Sequence, residues 1–125
     1  MRMTVLALCA ATLSLSAAMP AQAYDNQYAA LAIDYNAGDA YGWAVNHYSQ
    51  GDADAAALRE CGKGCRIVLR FYGGCGAYAV ERGNNSLYGW GKASTKEAAQ
   101  SRALAEVYAR GGRDNVVRVW GCNGS

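Results

Sequence analysis

Apolar residues fall along this chain in three patterns. Met3 to Ala18 is an uninterrupted uncharged run, preceded by Arg2 and followed by Pro20 and Ala21-Gln22-Ala23. Short runs rich in alanine and β-branched residues, 29 to 34 and 75 to 81, are each followed by turn formers: Asn36-Ala37-Gly38-Asp39 in one case, Gly83-Asn84-Asn85-Ser86 in the other. They predict a strand, a turn and a second strand carrying Tyr-Gly-Trp. Stretches of helical spacing come next. Ala98, Ser101, Leu104, Ala105 and Tyr108 predict a helix from Thr95 to about Arg110, stopped by Gly111-Gly112. A shorter one is expected from Asp52 to Cys61, ended by Gly62. Ser94-Thr95-Lys96-Glu97 reads as a capping box in which the serine accepts from the Glu97 N–H, and Ser49-Gln50-Gly51-Asp52 as a weaker version. Closing strands are predicted over Arg66 to Tyr72 and Val116 to Gly121.

The same order of elements occurs twice, and so do the residues. Tyr41-Gly42-Trp43 recurs as Tyr88-Gly89-Trp90, 47 positions on, and Ala30-Leu31-Ala32-Ile33-Asp34 lies over Ala77-Tyr78-Ala79-Val80-Glu81 at the same offset. Ala57-Leu58-Arg59-Glu60-Cys61 matches Ala103-Leu104-Ala105-Glu106-Val107 at 46. Two β-β-α-β units, about 28–74 and 75–122, therefore share one core. The expected fold is α+β: two repeats sharing one mainly antiparallel sheet, two helices on one face, and disulfide staples.

The first apolar run changes the picture of where this domain works. A positive start, an apolar stretch too short for a span of about 20 residues, and small residues before the scissile bond form a secretory signal with its cut after Ala23. Residues 24–125 are then one domain, secreted or periplasmic, without stable membrane insertion. Losing residues 1–23 removes Arg2 and no acid, which leaves 11 basic against 10 acidic residues, or +1. That balance demands no polyanionic partner and speaks against nucleic acid.

Cys61, Cys65, Cys75 and Cys122 remain, an even number in an exported chain, which favours two disulfides. Their spacing lacks the paired knuckles of a zinc site, and the single histidine, His47, is remote from them in sequence, so no metal or other cofactor is implied. Of three possible pairings, the repeat selects one. Cys61 and Cys65 face Val107 and, approximately, Asn115 in the second unit. A bond lost as a unit pairs Cys61 with Cys65 and leaves Cys75 for Cys122.

Catalytic equipment is sparse, and no catalytic set is assigned. His47 with a nearby carboxylate is the alternative reading, a small secreted hydrolase, but Asp52 and Asp54 belong in a first helical turn where they oppose the helix dipole. Gly73-Gly74-Cys75-Gly76 lacks the Lys-Ser/Thr of a phosphate loop and suits a tight turn. A structural envelope component is a further alternative. Binding is favoured, because nine tyrosines and three tryptophans exceed what a small core hides. Strand alternation places Ile67, Leu69 and Phe71 on one face of the first closing strand and Arg66, Val68, Arg70 and Tyr72 on the other; in the second, Val117 and Val119 oppose Val116, Arg118 and Trp120. With helices over the first face, Arg66, Arg70, Tyr72, Arg118 and Trp120 would form one binding face for a protein or an envelope glycan. The expected role is a small exported binding or interaction protein, an inhibitor or a cell-envelope accessory protein. The twin Tyr-Gly-Trp motifs are read as core rather than site.

The order Tyr-Gly-Trp, Ala-Leu-x-x-Cys, Gly-Cys-Arg-Ile-Val, Cys-Gly-Ala-Tyr-Ala-Val, Tyr-Gly-Trp-Gly, Glu-Ala, Ala-Leu and a final cysteine resembles the small exported bacterial domains of domain-of-unknown-function family 4189. The resemblance covers nearly the whole chain after residue 23. Members of that family commonly carry six cysteines, and this chain departs from them at Val107 and near Asn115, in keeping with the pairing above. No activity comes with the resemblance.

Overall fold

The computed structural model describes residues 26–34 and 39–124. The first apolar run, with Cys9 and the expected cut after Ala23, lies outside them. The elements are β1 (Tyr28–Asp34), β2 (Tyr41–His47), α1 (Gln50–Cys61), β3 (Cys65–Tyr72), β4 (Cys75–Glu81), β5 (Asn84–Ala93), α2 (Lys96–Ala109) and β6 (Asn115–Cys122). This is β-β-α-β twice, an α+β fold.

The strands do not share one sheet. They form two antiparallel three-stranded sheets, β2-β1-β3 and β5-β4-β6. Alternation along the central strands explains the layering. Ala29, Leu31 and Ile33 of β1 point into one cluster with Leu69, Phe71, Tyr78 and Val80, which joins the two sheets face to face. The intervening Ala30 and Ala32 point the other way, onto Ala53, Ala57 and Cys61 of α1. In the second unit, Ala77 and Ala79 meet Ala99, Ala103 and Val107 of α2. Each helix therefore covers the outer face of its own sheet, in four layers, where one sheet with both helices on one side was expected. A sheet whose central strand is apolar on both faces needs two covers, and each sheet supplies one to the other.

Glycine in Tyr-Gly-Trp sets the spacing of the helix layers. A Cβ on Gly42 would stand 1.8 Å from the Ala57 carbonyl oxygen, and one on Gly89 2.8 Å from that of Ala103. Helix and strand backbones touch there, and the flanking Tyr41, Trp43, Tyr88 and Trp90 turn inward against the central cluster. This contact also corrects the expected face of the second helix. Its buried stripe is Ala99, Ala103 and Val107, and Tyr108 is exposed. Only small side chains fit where backbones approach this closely, so bulk marks the outer side.

The two sheets are not identical where they meet. Trp43 lies over Gly76 and Gly121 of the second sheet, where any Cβ would stand 3.0 Å or less from the indole. The matching positions of the first sheet are filled by Ala29 and Phe71, which face each other across the ladder. Phe71 in turn rests 5.8 Å, centroid to centroid, from Trp43.

Caps and bulges account for the remaining departures. Thr95, not Ser94, caps α2 by accepting from the Ala98 N–H at 3.2 Å, so the capping box does not form. The weaker motif holds instead, with Ser49 accepting from the Asp52 N–H at 3.1 Å. Pairing slips at the same place in both units: Leu31 faces Leu69 but Ala32 faces Ile67, and Tyr78 faces Val119 but Ala79 faces Val117. Val68 and Arg118 are the extra residues, each a β-bulge that reverses the alternation of its strand.

Gly73 and Gly74, with φ of 63° and 57°, carry the chain from the first sheet to the second in a turn that only glycine enters without strain. Cys61 is bonded to Cys65 and Cys75 to Cys122, as the repeat implied. Cys122 stands directly opposite Cys75 across the β4–β6 ladder. No helix among the described residues is long and apolar enough to cross a membrane.

Gly42→Ala should lose at least about 2 kcal/mol by denaturant unfolding, since backbone must move to admit the methyl. Gly51→Ala, with nothing nearer to its Cβ than 3.9 Å, should be neutral or gain up to about 1 kcal/mol. In the chain-entropy account, replacing Cys75 and Cys122 by serine costs about 4 kcal/mol, and replacing Cys61 and Cys65 about 2. Equal losses in two such urea titrations would contradict the loop-length origin of the difference.

Candidate functional site

The five residues expected on one binding face are divided among four places. Arg70 and Tyr72 lie on the outer side of the first sheet. Arg70 bonds Asp54 of α1 at 2.9 Å, and Tyr72 meets Tyr28 edge-on with ring centroids 5.0 Å apart. Trp120 faces Ala77, on the outer side of the second sheet, where Lys96 at the start of α2 lies 4.4 Å from its ring. Arg118 is carried by its bulge toward the interior. Its guanidinium lies 4.7 Å from the Tyr41 ring and 5.7 Å from that of Tyr78, and it donates to the Asp39 carbonyl at 2.7 Å. Arg66 is exposed at the far end of β3, opposite Ile33. The single face required unbroken alternation in one common sheet. The bulges and the second sheet remove both conditions.

His47 is half-buried opposite Tyr28, and among the described residues no carboxylate pairs with it. All four cysteines of the domain are in disulfides, and among the described residues no cluster of three metal-ligating side chains occurs.

A different place combines concavity, aromatic surface and charge. The edges of the two sheets approach at β3 and β5, and two clefts of about 360 Å³ each lie along that seam. Tyr72, Gly74 and Ser94 line the first, Trp90, Arg102 and Glu106 the second, and Lys92 lines both. The Lys92 ammonium donates to the Arg70 carbonyl across the seam at 3.3 Å, and Arg102 donates to the Lys92 carbonyl at 2.9 Å. Neither cation pairs with a carboxylate among the described residues. Other arginines do find acids: Arg70 with Asp54, Arg82 with Asp114, and Arg110 with Glu106 of the second cleft at 4.0 Å. Arg110 also lies 5.1 Å from the Trp90 ring and 5.3 Å from that of Tyr88, which fixes the aromatic wall. The opposite seam, β2 against β6, is bolted shut. Asn46 N–H donates to Asn123 Oδ1 at 2.8 Å and Gly124 N–H to Asn46 Oδ1 at 2.7 Å.

Sequence reasoning named Tyr72 but missed Lys92, Trp90 and Arg102 as site residues. The signal was in the repeat: aligned on Tyr-Gly-Trp, Lys92 stands where the first unit has Val45, and at the offset of 46 that relates the helices Arg102 stands where it has Ala56. Two cations replacing an apolar and a small residue on one edge mark the seam that differs.

The phenol of Tyr78 is fully enclosed between the sheets. Burial pushes its pKa above the ordinary value of 10.0, against the opposing hydrogen bond and charge of Arg118. A phenol harder to ionise when folded favours the folded chain below pH 10, and the advantage disappears as pH climbs through the folded value. Stability should thus fall above about pH 10, and Tyr78→Phe should flatten that fall in urea titrations at successive pH values. An unchanged slope would mean that other groups govern alkaline unfolding.

No curated protein and no solved structure matches the chain. The model for the domain of unknown function DUF4189 matches residues 28–122, which run from the first residue of β1 to the last of β6 and take in both units, both disulfides and both seams. The chain belongs to the DUF4189 family.

Proposed function

We propose that this chain is an exported binding module, acting as an inhibitor or an envelope accessory protein, and that its partner, a protein or an envelope glycan, docks at the β3–β5 seam. The observation that carries the reading is the pair of clefts there, with exposed Tyr72, half-buried Trp90 and two cations that bond only main-chain carbonyls among the described residues. Such sites work by pre-organisation: the walls come from strands and one helix of a cross-linked scaffold, so little ordering cost is left for the binding step. Tyrosine, tryptophan and arginine are the side chains that most often dominate binding energy when clustered. Export rests on the amino-terminal signal pattern and agrees with the two disulfides, which persist in oxidising compartments.

Two measurements test the reading. The protein recovered from outside the cytoplasm should begin at Tyr24 on amino-terminal sequencing; an intact Met1 in that fraction would remove export. Isotope-labelled protein titrated with soluble envelope glycan fragments and with a purified envelope-protein fraction should show amide shifts gathered around Tyr72, Trp90 and Lys92. Shifts gathered on the Asn46–Asn123 seam, or none with either probe, would refute docking at the β3–β5 edge.

A further inference from the structure

We propose that the β3–β5 seam takes a carboxylate-bearing glycan chain, an inference that rests on the reading of this domain as a binding module and names its ligand chemistry. Charge comes first. Lys92 and Arg102 line the clefts, both are exposed, and neither is neutralised by an acid among the described residues. The one acid of the second cleft, Glu106, already stands 4.0 Å from Arg110. A ligand entering the seam meets two uncompensated positive charges in a chain whose overall balance after residue 23 is close to neutral. That asymmetry selects an anion locally rather than through a general field.

The choice of a glycan over an extended peptide follows from the strand edges. A peptide strand adds to a sheet by bonding free main-chain groups along an edge. Here the carbonyl of Arg70 on β3 accepts from Lys92, and the carbonyl of Lys92 on β5 accepts from Arg102. The side chains that supply the charge thus occupy acceptors an added strand would need. What the seam still offers is suited to sugar rings. Tyr72, 61 % exposed, stands at the first cleft, and half-buried Trp90, whose ring already meets Tyr88 and Arg110, shows its remaining surface at the second, with Lys92 between them. Aromatic faces take the apolar C–H faces of pyranose rings, while ammonium and guanidinium groups take ring carboxylates. Two clefts in series match successive rings of a chain better than one compact ligand.

The test titrates the full-length secreted protein by calorimetry and amide shifts with three probes of similar length: an oligogalacturonate, a neutral cello-oligosaccharide and an oligo-glutamate peptide. The oligogalacturonate should bind saturably at the seam. A Lys92→Gln/Arg102→Gln double variant should weaken it by about tenfold or more, and Arg82→Gln, an exposed cation remote from the seam, by less than about twofold. An unchanged melting temperature of each variant keeps folding separate from binding.

Failure of the oligogalacturonate to bind overturns the inference, as does undiminished binding by the double variant. So does equal binding of oligo-glutamate, which would make the seam a peptide or general polyanion site. If the neutral oligosaccharide alone shifts the amides around Tyr72 and Trp90, the charge selection is refuted while docking at the seam stands. If no probe shifts them, and the envelope fractions do not either, both fall.

Discussion

Everything in this domain is arranged around a contact between backbones. At Gly42 and Gly89 a helix rests on a strand with no side chain between them, and the stripes that meet there are mostly alanine, with Cys61 and Val107 at their ends. Small residues bury little apolar area each, so these outer layers contribute modestly to cohesion. The bulk has to go elsewhere. Strand alternation sends the flanking tyrosine and tryptophan of each Tyr-Gly-Trp to the opposite face, and two such faces close on one another as an aromatic-rich centre. One tripeptide thereby specifies both the thin outer contact and the thick inner one.

Duplication supplies the two halves, and divergence gives them different edges. The two seams stand in matching positions of the repeat, β6 on β2 and β3 on β5, yet one is latched by reciprocal asparagine bonds and the other is spanned by a single lysine. Arg118 is another product of divergence. It occupies the bulge that holds Val68 in the first unit, and its charge is housed over aromatic rings and a carbonyl. A bulge that places an aliphatic side chain inward in one unit places a cation there in the other.

Element order, the repeat and both cross-links were legible in the residues, because each depends on local pattern or on comparing one half with the other. Sheet membership was not. Alanine at 30 and 32 reads equally well as filler in one sheet or as the face of a second interface, and only knowing that α1 lies against it decides. Bulges defeated the assignment of faces on β3 and β6, since one inserted residue leaves no mark in a run such as Arg66-Ile67-Val68-Leu69-Arg70. The binding face drawn from alternation therefore came apart into four locations. Lys92 and Arg102 were accessible through the repeat and were passed over, because a lysine after Tyr-Gly-Trp-Gly and an arginine on an exposed helical turn look like ordinary solvated charges until their counterparts, Val45 and Ala56, are set beside them.

The Cys75–Cys122 bond turns the second unit into a covalent ring, whereas the first unit contains only the five-residue ring from Cys61 to Cys65. A covalent ring changes what a peptidase can do to a chain. A single cut anywhere from residue 76 to 121 opens the large ring and still leaves every atom attached, with α2 and the clefted edge of β5 held in one molecule. A cut at Gly73-Gly74 would sever the halves outright, and that link lies between two strands with the Gly73 N–H donating to Gln27 and both carbonyls accepting from Asn123. The half that carries Lys92 and Arg102 is thus the half whose fragments stay joined after a single nick.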